Sequence, residues 1–256
     1  MLTPLSLTNF EPFRTACGYE QVFGSKILTA RAAYGFTHPD HRFWLAERGG
    51  EPVGALYLNG KVLIISADNR IKADEVAPFV REHGVTEVDS DWPLCRKLLD
   101  RLGGVTESSY YMVYRGGPVE DPFDDIVSGD LNEVFAVLQQ SHEYYRTHLQ
   151  FEPWSNDLTR RMACGFTEVY QLTADGKVVG TGSIISQDET CGAIAAVAVV
   201  PEYRHRGLGS RMSRFLVQRI QALGKTPRLI SGYDAVAELY RKIGFVPCGR
   251  WGELYL

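Results

Sequence analysis

The alternation of apolar and polar positions predicts two similar sets of strands and helices, one after the other along the chain. Residues 43–58 read FWLAERGGEPVGALYL, and residues 169–184 read VYQLTADGKVVGTGSI. In each piece two strand-like runs flank a Gly-containing turn, which is the pattern of a β-hairpin. Further on, residues 98–105 and 239–246 each read as a helix end, a Gly stop and a new strand. Two matches in the same order predict an internal duplication.

Residues 115–125, RGGPVEDPFDD, are expected to separate the two copies. The segment is rich in Gly, Pro and acids and has few side chains to pack, a composition typical of a linker or a long turn. It predicts an N-terminal domain at residues 1–117 and a C-terminal domain at residues 118–256. The interval between the matched pieces is longer in the second copy, so we expect an insertion between its hairpin and its last helix.

Strands and helices alternate in the second copy. Residues 193–200, AIAAVAVV, read as an almost unbroken apolar strand, as expected when both faces are covered. A loop with aromatic residues is expected between the first helix and a short second one. The other predicted elements are helices at 130–142, 157–164, 206–224 and 234–243, and strands at 228–231 and 245–256. This alternation predicts an α/β domain with a mixed sheet.

Composition and charge narrow the classes of function. The 256 residues are 45% hydrophobic and 23% charged, which is ordinary for a globular protein with a buried core. A formal net charge of -4 and a pI near 5.9 give no general attraction to nucleic acid or to an anionic membrane. The N-terminus does not resemble a signal peptide, and no apolar run approaches the ~18 residues of a membrane span. A cytoplasmic protein is expected.

The cysteines and histidines do not indicate a metal site. The five cysteines are scattered and form no CxxC pair, so neither a disulfide framework nor a structural zinc site is expected. His142 with His148, and His38 with His41, have no third ligand at a suitable spacing. No metal cofactor is therefore expected.

The segment that indicates chemistry is residues 197–210, VAVVPEYRHRGLGS. An apolar strand and a Pro are followed by a polar turn and by Gly207 and Gly209, which open an amphipathic helix. The N–H groups of a first helical turn are unpaired, the helix dipole adds positive charge there, and glycine allows close approach. With Arg204, His205 and Arg206 beside them, these groups predict an anion site suited to a diphosphate. The alternative is an ordinary strand–turn–helix junction with solvated arginines.

Residues 197–209 resemble the acetyl-CoA-binding motif of GNAT acetyltransferases, with Arg204-x-x-Gly207-x-Gly209 as the phosphate-binding part. Residues 237–245, AELYRKIGF, resemble the second family motif, a helix that ends in Tyr-x-x-x-Gly-Phe. Together with the duplication, the resemblance implies an α/β (α+β) fold of two tandem GNAT-like domains, each a mixed twisted sheet flanked by helices. The N-terminal copy is expected to be degenerate, because residues 65–74, ISADNRIKAD, contain no Gly and no phosphate turn.

The resemblance also implies roles for single residues. The strand backbone at Val197, Ala198 and Val199 would pair with the pantetheine amides of acetyl-CoA. Tyr240 would protonate the leaving thiolate, since a thiol has a pKa near ~8.5 and a phenol near ~10. The alternative for Tyr240 is an aromatic side chain packed in the core. The residues expected to hold the pyrophosphate are Arg204, His205, Arg206, Gly207, Leu208, Gly209 and Ser210.

One position departs from the family pattern. Family members often carry an Asn seven residues before the tyrosine, whereas this chain has Tyr233 there. The next residue, Asp234, reads equally well as a helix N-cap. No cofactor contact is therefore assigned to it.

The implied function is an N-acetyltransferase, in which an amine attacks acetyl-CoA, the co-substrate, directly within a ternary complex. By analogy, residues 142–154, HEYYRTHLQFEPW, are expected to line the acceptor site. The acceptor would be a small-molecule amine or a protein amine, and a homodimer is a possible assembly. The competing hypothesis is a non-catalytic acyl-CoA-binding sensor or partner module. The candidates for the base that deprotonates the amine are Glu143, Tyr144, Tyr145, Glu168, Asp188 and Glu189.

Overall fold

The computed structural model describes residues 1–232 and 234–256, which group into two compact units. The N-terminal unit is built mainly from Met1–Tyr111 and Pro247–Leu256, and the C-terminal unit from Met112–Ile230 and Asp234–Val246. The units do not follow a single cut in the sequence, because the last residues of the chain pack in the N-terminal unit. The domain limits 1–117 and 118–256 stay a prediction, because they concern which parts of the chain fold independently.

The N-terminal unit is a mixed sheet with helices on it. In chain order its elements are β1 Leu2–Pro4, α1 Phe10–Cys17, α2 Gln21–Tyr34, β2 His41–Arg48, β3 Glu51–Asn59, β4 Val62–Ala67, α3 Ala73–Glu82, β5 Glu87–Asp91, α4 Trp92–Leu102 and β6 Val105–Tyr114, and the C-terminal strand β12 Phe245–Tyr255 joins them. The strand order is β1-β2-β3-β4-β5-β12. Strand β4 runs parallel to β5, and β12 pairs antiparallel with β5 from Trp251 to Tyr255.

The C-terminal unit has the same design. In chain order its elements are β7 Ile126–Ser128, α5 Leu131–Ser141, α6 Glu143–His148, α7 Phe151–Ala163, β8 Glu168–Ala174, β9 Lys177–Gln187, β10 Cys191–Val199, α8 Leu208–Ala222, β11 Thr226–Ser231 and α9 Asp234–Ile243. The strand order is β11-β10-β9-β8-β7. Strand β10 runs parallel to β11 and antiparallel to β9, so the predicted mixed α/β sheet is confirmed.

The order of elements confirms the internal duplication. In both halves of the chain a first strand is followed by helices, three antiparallel strands, a crossover helix, a parallel strand, another helix and a last strand, which is β6 in the first half and β12 in the second. The predicted hairpins are β2–β3 and β8–β9, and their turns use positive φ angles at Gly49 and Gly50 and at Asp175 and Gly176. The predicted insertion also appears, because β10 and α8 have 9 and 15 residues where β4 and α3 have 6 and 10.

Local sequence explains why these helices form where they do. Asp130, the residue before α5, accepts hydrogen bonds from the N–H groups of Asn132 and Glu133, as an N-cap does. The helix α8 buries Met212 and Leu216 at helical spacing against the sheet. A side chain that caps the first N–H groups and an apolar stripe that faces the sheet are thus the local features that place these two helices.

Two segments differ from the predictions. Residues 115–125 have no regular structure, as expected, and most of them are exposed, but the segment is anchored by the buried side chains of Val119 and Phe123. Arg211 of α8 donates to Asp125 at 2.6 Å, and Phe123 packs edge-on against Phe215 at 5.6 Å. The aromatic segment after α5 is two helices, α6 and α7, rather than a loop, so the predicted short helix at 157–164 starts earlier, at Phe151.

Within residues 1–232 and 234–256, no helix combines the length and the apolar character that crossing a bilayer requires.

Candidate functional site

The strand β10 separates from β11 halfway along its length. It pairs with β11 from Cys191 to Ile194, whereas its pairing with β9 continues to Val199. The register with β9 shifts in a bulge after Ala195, where Ala196 has a φ of 53°. A bulge bends a strand and re-aims its side chains. Within the described residues, the end of β10 therefore has β9 on one side and no strand on the other, which leaves a backbone edge for an extended ligand.

The exposure of β10 changes at the same point. Cys191–Ile194 is buried, and residues 195–199 are half-buried. The second half of the strand is therefore less buried than predicted, and its edge on the β11 side is unpaired within the described residues. Val197, Ala198 and Val199 all lie there. Their apolar, partly open surface is compatible with the predicted pantetheine contact.

The turn between β10 and α8 is held in an unusual backbone shape. A single 3-10 turn at Pro201–Tyr203 is followed by left-handed conformations at His205, with φ 60°, and at Gly207, with φ 80°. Gly207 is the N-cap of α8, and no described side chain caps this helix. A Cβ atom added at Gly207 or Gly209 would meet no atom within 4 Å. Packing does not require a glycine at 209, so the open space there suits a ligand.

The first-turn N–H groups of Leu208, Gly209 and Ser210 are the backbone donors at the start of α8. They are three of the four donors that a helix start leaves unpaired, and the half-exposed residues 208–210 border the exposed turn. The helix dipole and the absence of an acidic residue in the first turn of α8 both favour a bound anion. The turn is thus equipped to bind a phosphate group through its backbone.

The two arginines of the motif bind the protein itself. Arg204 donates to the carbonyl oxygen of Val199 at 3.1 Å and to that of Ser141. Arg206 donates to the carbonyl oxygen of Glu202 at 3.1 Å and lies over the Tyr203 ring. Arg204 thus ties the turn to β10 and to the end of α5. Both side chains add positive charge near the turn while they hold its shape.

Tyr240 lies on α9 and is almost fully buried, with 8% of its surface exposed. Its ring packs edge-on against Phe245 at 5.6 Å. Burial raises the pKa of Tyr240 to about 12, against a hydrogen bond with Ser213 that lowers it. The Ser213 hydroxyl in turn donates to the carbonyl oxygen of Gly209 at 2.8 Å. The hydroxyl of the second motif is therefore linked through one residue to the phosphate turn of the first.

Among the candidate bases, Tyr145 interacts electrostatically with Tyr240. Tyr145 is half-buried on α6, and burial raises its pKa. Tyr144 is exposed and stacks on His148 with ring centroids 4.7 Å apart. Glu143 is exposed at the start of the same helix. The structure thus brings Tyr145 close to Tyr240 and leaves Tyr144 on the surface.

The acidic candidates on the sheet have structural partners. Glu168 accepts from Arg219 at 2.7 Å and from Tyr170. Burial alone would raise the pKa of Glu168, but these two partners lower it overall. Asp188 accepts from the N–H groups of Thr190 and Cys191 at 2.6 and 2.8 Å and so closes the β9–β10 turn. Glu189 is exposed in that turn.

The predicted acceptor segment, residues 142–154, adjoins the open half of β10. Trp154 and Tyr145 pack on the apolar cluster that also supports Ala196 and Ala198. Trp154 lies 5.3 Å from Phe135 between ring centroids, so part of the aromatic segment stabilises α5 and α7. The segment therefore packs against its own helices and also lies near the open half of β10.

Two features escaped the sequence. Nothing in the pattern marked Ser213, because a serine within an amphipathic helix is usually a surface residue, and its role depends on α9 packing against α8. The bulge at Ala196 was equally hidden, since an alanine-rich strand has no turn residue to indicate it. Tyr233 lies outside the described residues.

The comparison with known proteins agrees with this geometry. The sequence model of the acetyltransferase (GNAT) family matches residues 131–245. No curated protein matches the chain in sequence. Among solved structures, a tandem GNAT protein from the clavulanic acid biosynthesis pathway is 14% identical, with a TM-score of 0.62 over 99% of this chain and 97% of that one.

Two further structures match over nearly the whole chain. A GCN5-related N-acetyltransferase from Sphaerobacter thermophilus is 14% identical, with a TM-score of 0.65 over 99% of this chain and 94% of that one. A GNAT-family acetyltransferase from Colwellia psychrerythraea is 13% identical, with a TM-score of 0.60 over 100% and 99%. At such identities the likeness concerns the fold.

Residues 131–245 thus match the GNAT acetyltransferase family model, and the chain as a whole has the fold of GNAT proteins, including one with a tandem arrangement. The predicted fold of two GNAT-like domains in tandem is confirmed.

Proposed function

We propose that the chain is an N-acetyltransferase that transfers the acetyl group of acetyl-CoA to an amine, with its site in the C-terminal unit. One observation carries the proposal. The half of β10 that β11 leaves leads into the uncapped start of α8, and the Tyr240 hydroxyl is linked to that start through Ser213. The open edge of β10, the start of α8 and the Tyr240 hydroxyl thus all lie in the C-terminal unit.

The described residues fit the chemistry of acetyl-CoA. The pyrophosphate would bind the N–H groups of residues 205–210, with open space at Gly207 and Gly209 for close approach. The pantetheine amides would pair with the backbone of residues 197–199, which lacks a strand partner on the β11 side. Arg204 and Arg206 would contribute mainly by holding the turn in place and by their positive charge.

The reaction would proceed by direct attack of the amine on the acetyl carbonyl. A new C–N bond forms, the C–S bond breaks with its electron pair leaving on the thiolate, and the attacking nitrogen loses a proton to become the amide. With a pKa of about 12, Tyr240 is protonated at neutral pH and can donate a hydrogen bond to the departing sulfur. Proton transfer to a free thiolate with a pKa near ~8.5 would be uphill. Burial in the same pocket would also raise the pKa of the thiol, so that it lies closer to the pKa of Tyr240.

The acceptor would enter beside residues 142–154, next to Tyr145. A protonated amine has to lose a proton before it attacks. Among the candidates, Tyr145 is the one with an electrostatic interaction with Tyr240, so we place the acceptor's nitrogen on that side. A small-molecule amine and a protein amine both remain within the proposal, and the site of action would be the cytoplasm.

Thiol release from acetyl-CoA with a panel of amines and N-terminal peptides tests the proposal. We expect release that depends on one class of amine and saturates with acetyl-CoA, together with CoA binding in calorimetry. CoA binding without turnover for any amine would favour the non-catalytic binding module. The absence of both CoA binding and turnover would overturn the proposed site itself.

A further inference from the structure

Three carboxylates gather on one face of the sheet in the N-terminal unit, away from the site described above. Asp89 on β5 lies directly opposite Glu253 on β12, and Glu87 lies two residues before Asp89, on the same face of the strand. One oxygen atom of each side chain lies within 4.8 Å of the other two. The proposed acetyl transfer uses none of these residues.

The charge of this cluster is poorly compensated. Asp89 is only 5% exposed, and its Oδ1 atom is buried with no hydrogen-bond partner among the described residues. Its Oδ2 atom lies 3.7 Å from Nζ of Lys26 on α2, a side chain that is 42% exposed. Glu253 accepts from the Tyr255 hydroxyl at 2.7 Å. A buried carboxylate oxygen without a partner is unfavourable, and one half-exposed ammonium faces three carboxylates.

The surroundings add negative rather than positive charge. Burial raises the pKa of Asp89 to about 6; Glu87 adds to the shift, and Lys26 opposes it. Burial and Asp89 likewise raise the pKa of Glu253, and Glu107 contributes to that rise. The three carboxylates thus repel one another, while Lys26 offsets part of their charge.

We propose that Glu87, Asp89 and Glu253 bind a hard divalent cation, with Ca²⁺ preferred over Mg²⁺. The donors are all carboxylate oxygens, the type that both ions prefer, and no nitrogen or sulfur ligand is among them. Mg²⁺ requires a near-ideal octahedron and usually keeps several waters with one or two carboxylates, whereas Ca²⁺ accepts six to eight oxygens in a flexible arrangement. Three carboxylates that already lie within 4.8 Å of one another therefore favour Ca²⁺.

The arrangement explains two other features of the cluster. Glu87 and Glu253 are half-buried, which leaves water access for the remaining positions of a six- to eight-coordinate ion. Lys26 is long, flexible and partly exposed, so it can withdraw when the ion binds. In the metal-free protein it acts as the counter-ion of Asp89.

Calcium binding to the full chain tests the proposal, with CaCl2 and MgCl2 added after treatment with EDTA. Calorimetry should show saturable Ca²⁺ binding, tighter than Mg²⁺ binding, and Tm should rise with Ca²⁺ concentration. Glu253→Gln and Asp89→Asn should each weaken Ca²⁺ binding at least 10-fold. Lys26→Gln should tighten it, because the competing ammonium is gone.

The matched control is Glu82→Gln, which changes an exposed acid on α3 of the same unit and should leave Ca²⁺ binding unchanged. Asp89→Asn removes a buried charge and can raise Tm by itself, so the quantity compared is the Ca²⁺-dependent increment in Tm. An equal increment in the Asp89→Asn/Glu253→Gln double variant overturns the proposal. So does the absence of saturable binding in both the wild type and Lys26→Gln.

Discussion

The turn from β4 to α3 and the turn from β10 to α8 occupy the same place in the duplicated fold, yet the helices that they begin differ in the charge of the first turn. At the start of α3, Asp74 accepts from Arg101 and Glu75 accepts from Arg48, each at 2.5 Å. The protein's own carboxylates thus complement the helix dipole. The first turn of α8 has no acidic residue, and the space beside Gly209 is open.

The gap between the strands is treated differently as well. Strand β4 loses β5 after Ile64, as β10 loses β11 after Ile194. In the N-terminal unit Ser66 is buried beyond that point, and its hydroxyl donates to the carbonyl oxygen of Ala16 at the end of α1 at 3.0 Å. In the C-terminal unit residues 195–199 stay half-exposed. The end of one helix thus fills the gap that we propose a cofactor fills in the other unit.

The last helices complete the contrast. In the alignment of residues 98–105 with 239–246, Leu99 stands where Tyr240 stands. Leu99 packs against the apolar core of its unit, whereas Tyr240 has a hydroxyl linked to the phosphate turn. The same backbone plan therefore supports either a filled core or a site, depending on a few residues.

The largest expected effect comes from Tyr240→Phe, which removes the hydroxyl that the N-terminal copy lacks. General acid catalysis typically contributes about 10²–10⁴-fold, so kcat should fall at least 100-fold while the Kd for CoA changes little. The control is Tyr114→Phe, since Tyr114 packs on the same Phe245 ring and donates its hydroxyl to a carbonyl oxygen. Thiol release and calorimetry give both quantities. A kcat within threefold of the wild type would exclude Tyr240 as the acid.

The next largest effect is expected from Gly209→Asp, which places an acidic residue in the first turn of α8, as in α3. The carboxylate would stand in the open space at the helix start and repel the pyrophosphate, so the Kd for CoA should rise at least 10-fold. An acid at a helix N-terminus is favourable, so Tm should not fall. Gly209→Ser adds a neutral side chain as the matched control. Equal losses of affinity in the two variants would point to crowding rather than charge.

The raised pKa of Tyr240 predicts a dependence of stability on alkaline pH. The folded state holds the phenol proton to about pH 12, and the unfolded state holds it to ~10. The stabilisation is therefore complete below pH ~10 and is lost as the pH rises towards 12. Urea unfolding from pH 9 to 11.5 should show a steeper loss of stability for the wild type than for Tyr240→Phe. Parallel curves would show that the phenol is not in this environment.

The smallest effect is expected from Glu75→Gln in the N-terminal unit. The carboxylate is partly exposed and pairs with Arg48, and such pairs contribute about 1 kcal/mol or less. Tm should fall slightly, and the Kd for CoA should stay unchanged, since this turn is not the proposed cofactor site. Differential scanning calorimetry with and without CoA measures both. A change in CoA affinity would show that the two turns are not as independent as we infer.

Much of the fold could be predicted from residues that act locally. Helical spacing of apolar residues located α5, α8 and α9, and the Gly-containing turns located both hairpins, because these signals depend on near neighbours. The turn before α8 was predictable for the same reason, since Pro201, Gly207 and Gly209 act within one short stretch of backbone. The features that depend on contacts between residues far apart in sequence could not be predicted.

The remaining parts depend on long-range packing. Residues 115–125 read as a linker because their own composition is poor in apolar residues, while α8 supplies the partners that hold them. The aromatic segment 142–154 read as a loop because α6 has only 6 residues and α7 begins only near the end of the segment, at Phe151. Ser213 and the buried oxygen of Asp89 gain their meaning only from elements that meet them in space.

The pairing of β12 with β5 has a consequence for how the protein is made. Residues 251–255 pair with β5 in the N-terminal unit, and they follow the C-terminal unit along the chain. The N-terminal sheet can therefore be completed only after the C-terminal unit has been synthesised. Folding of the first unit thus depends on synthesis of the second, however early its own helices form.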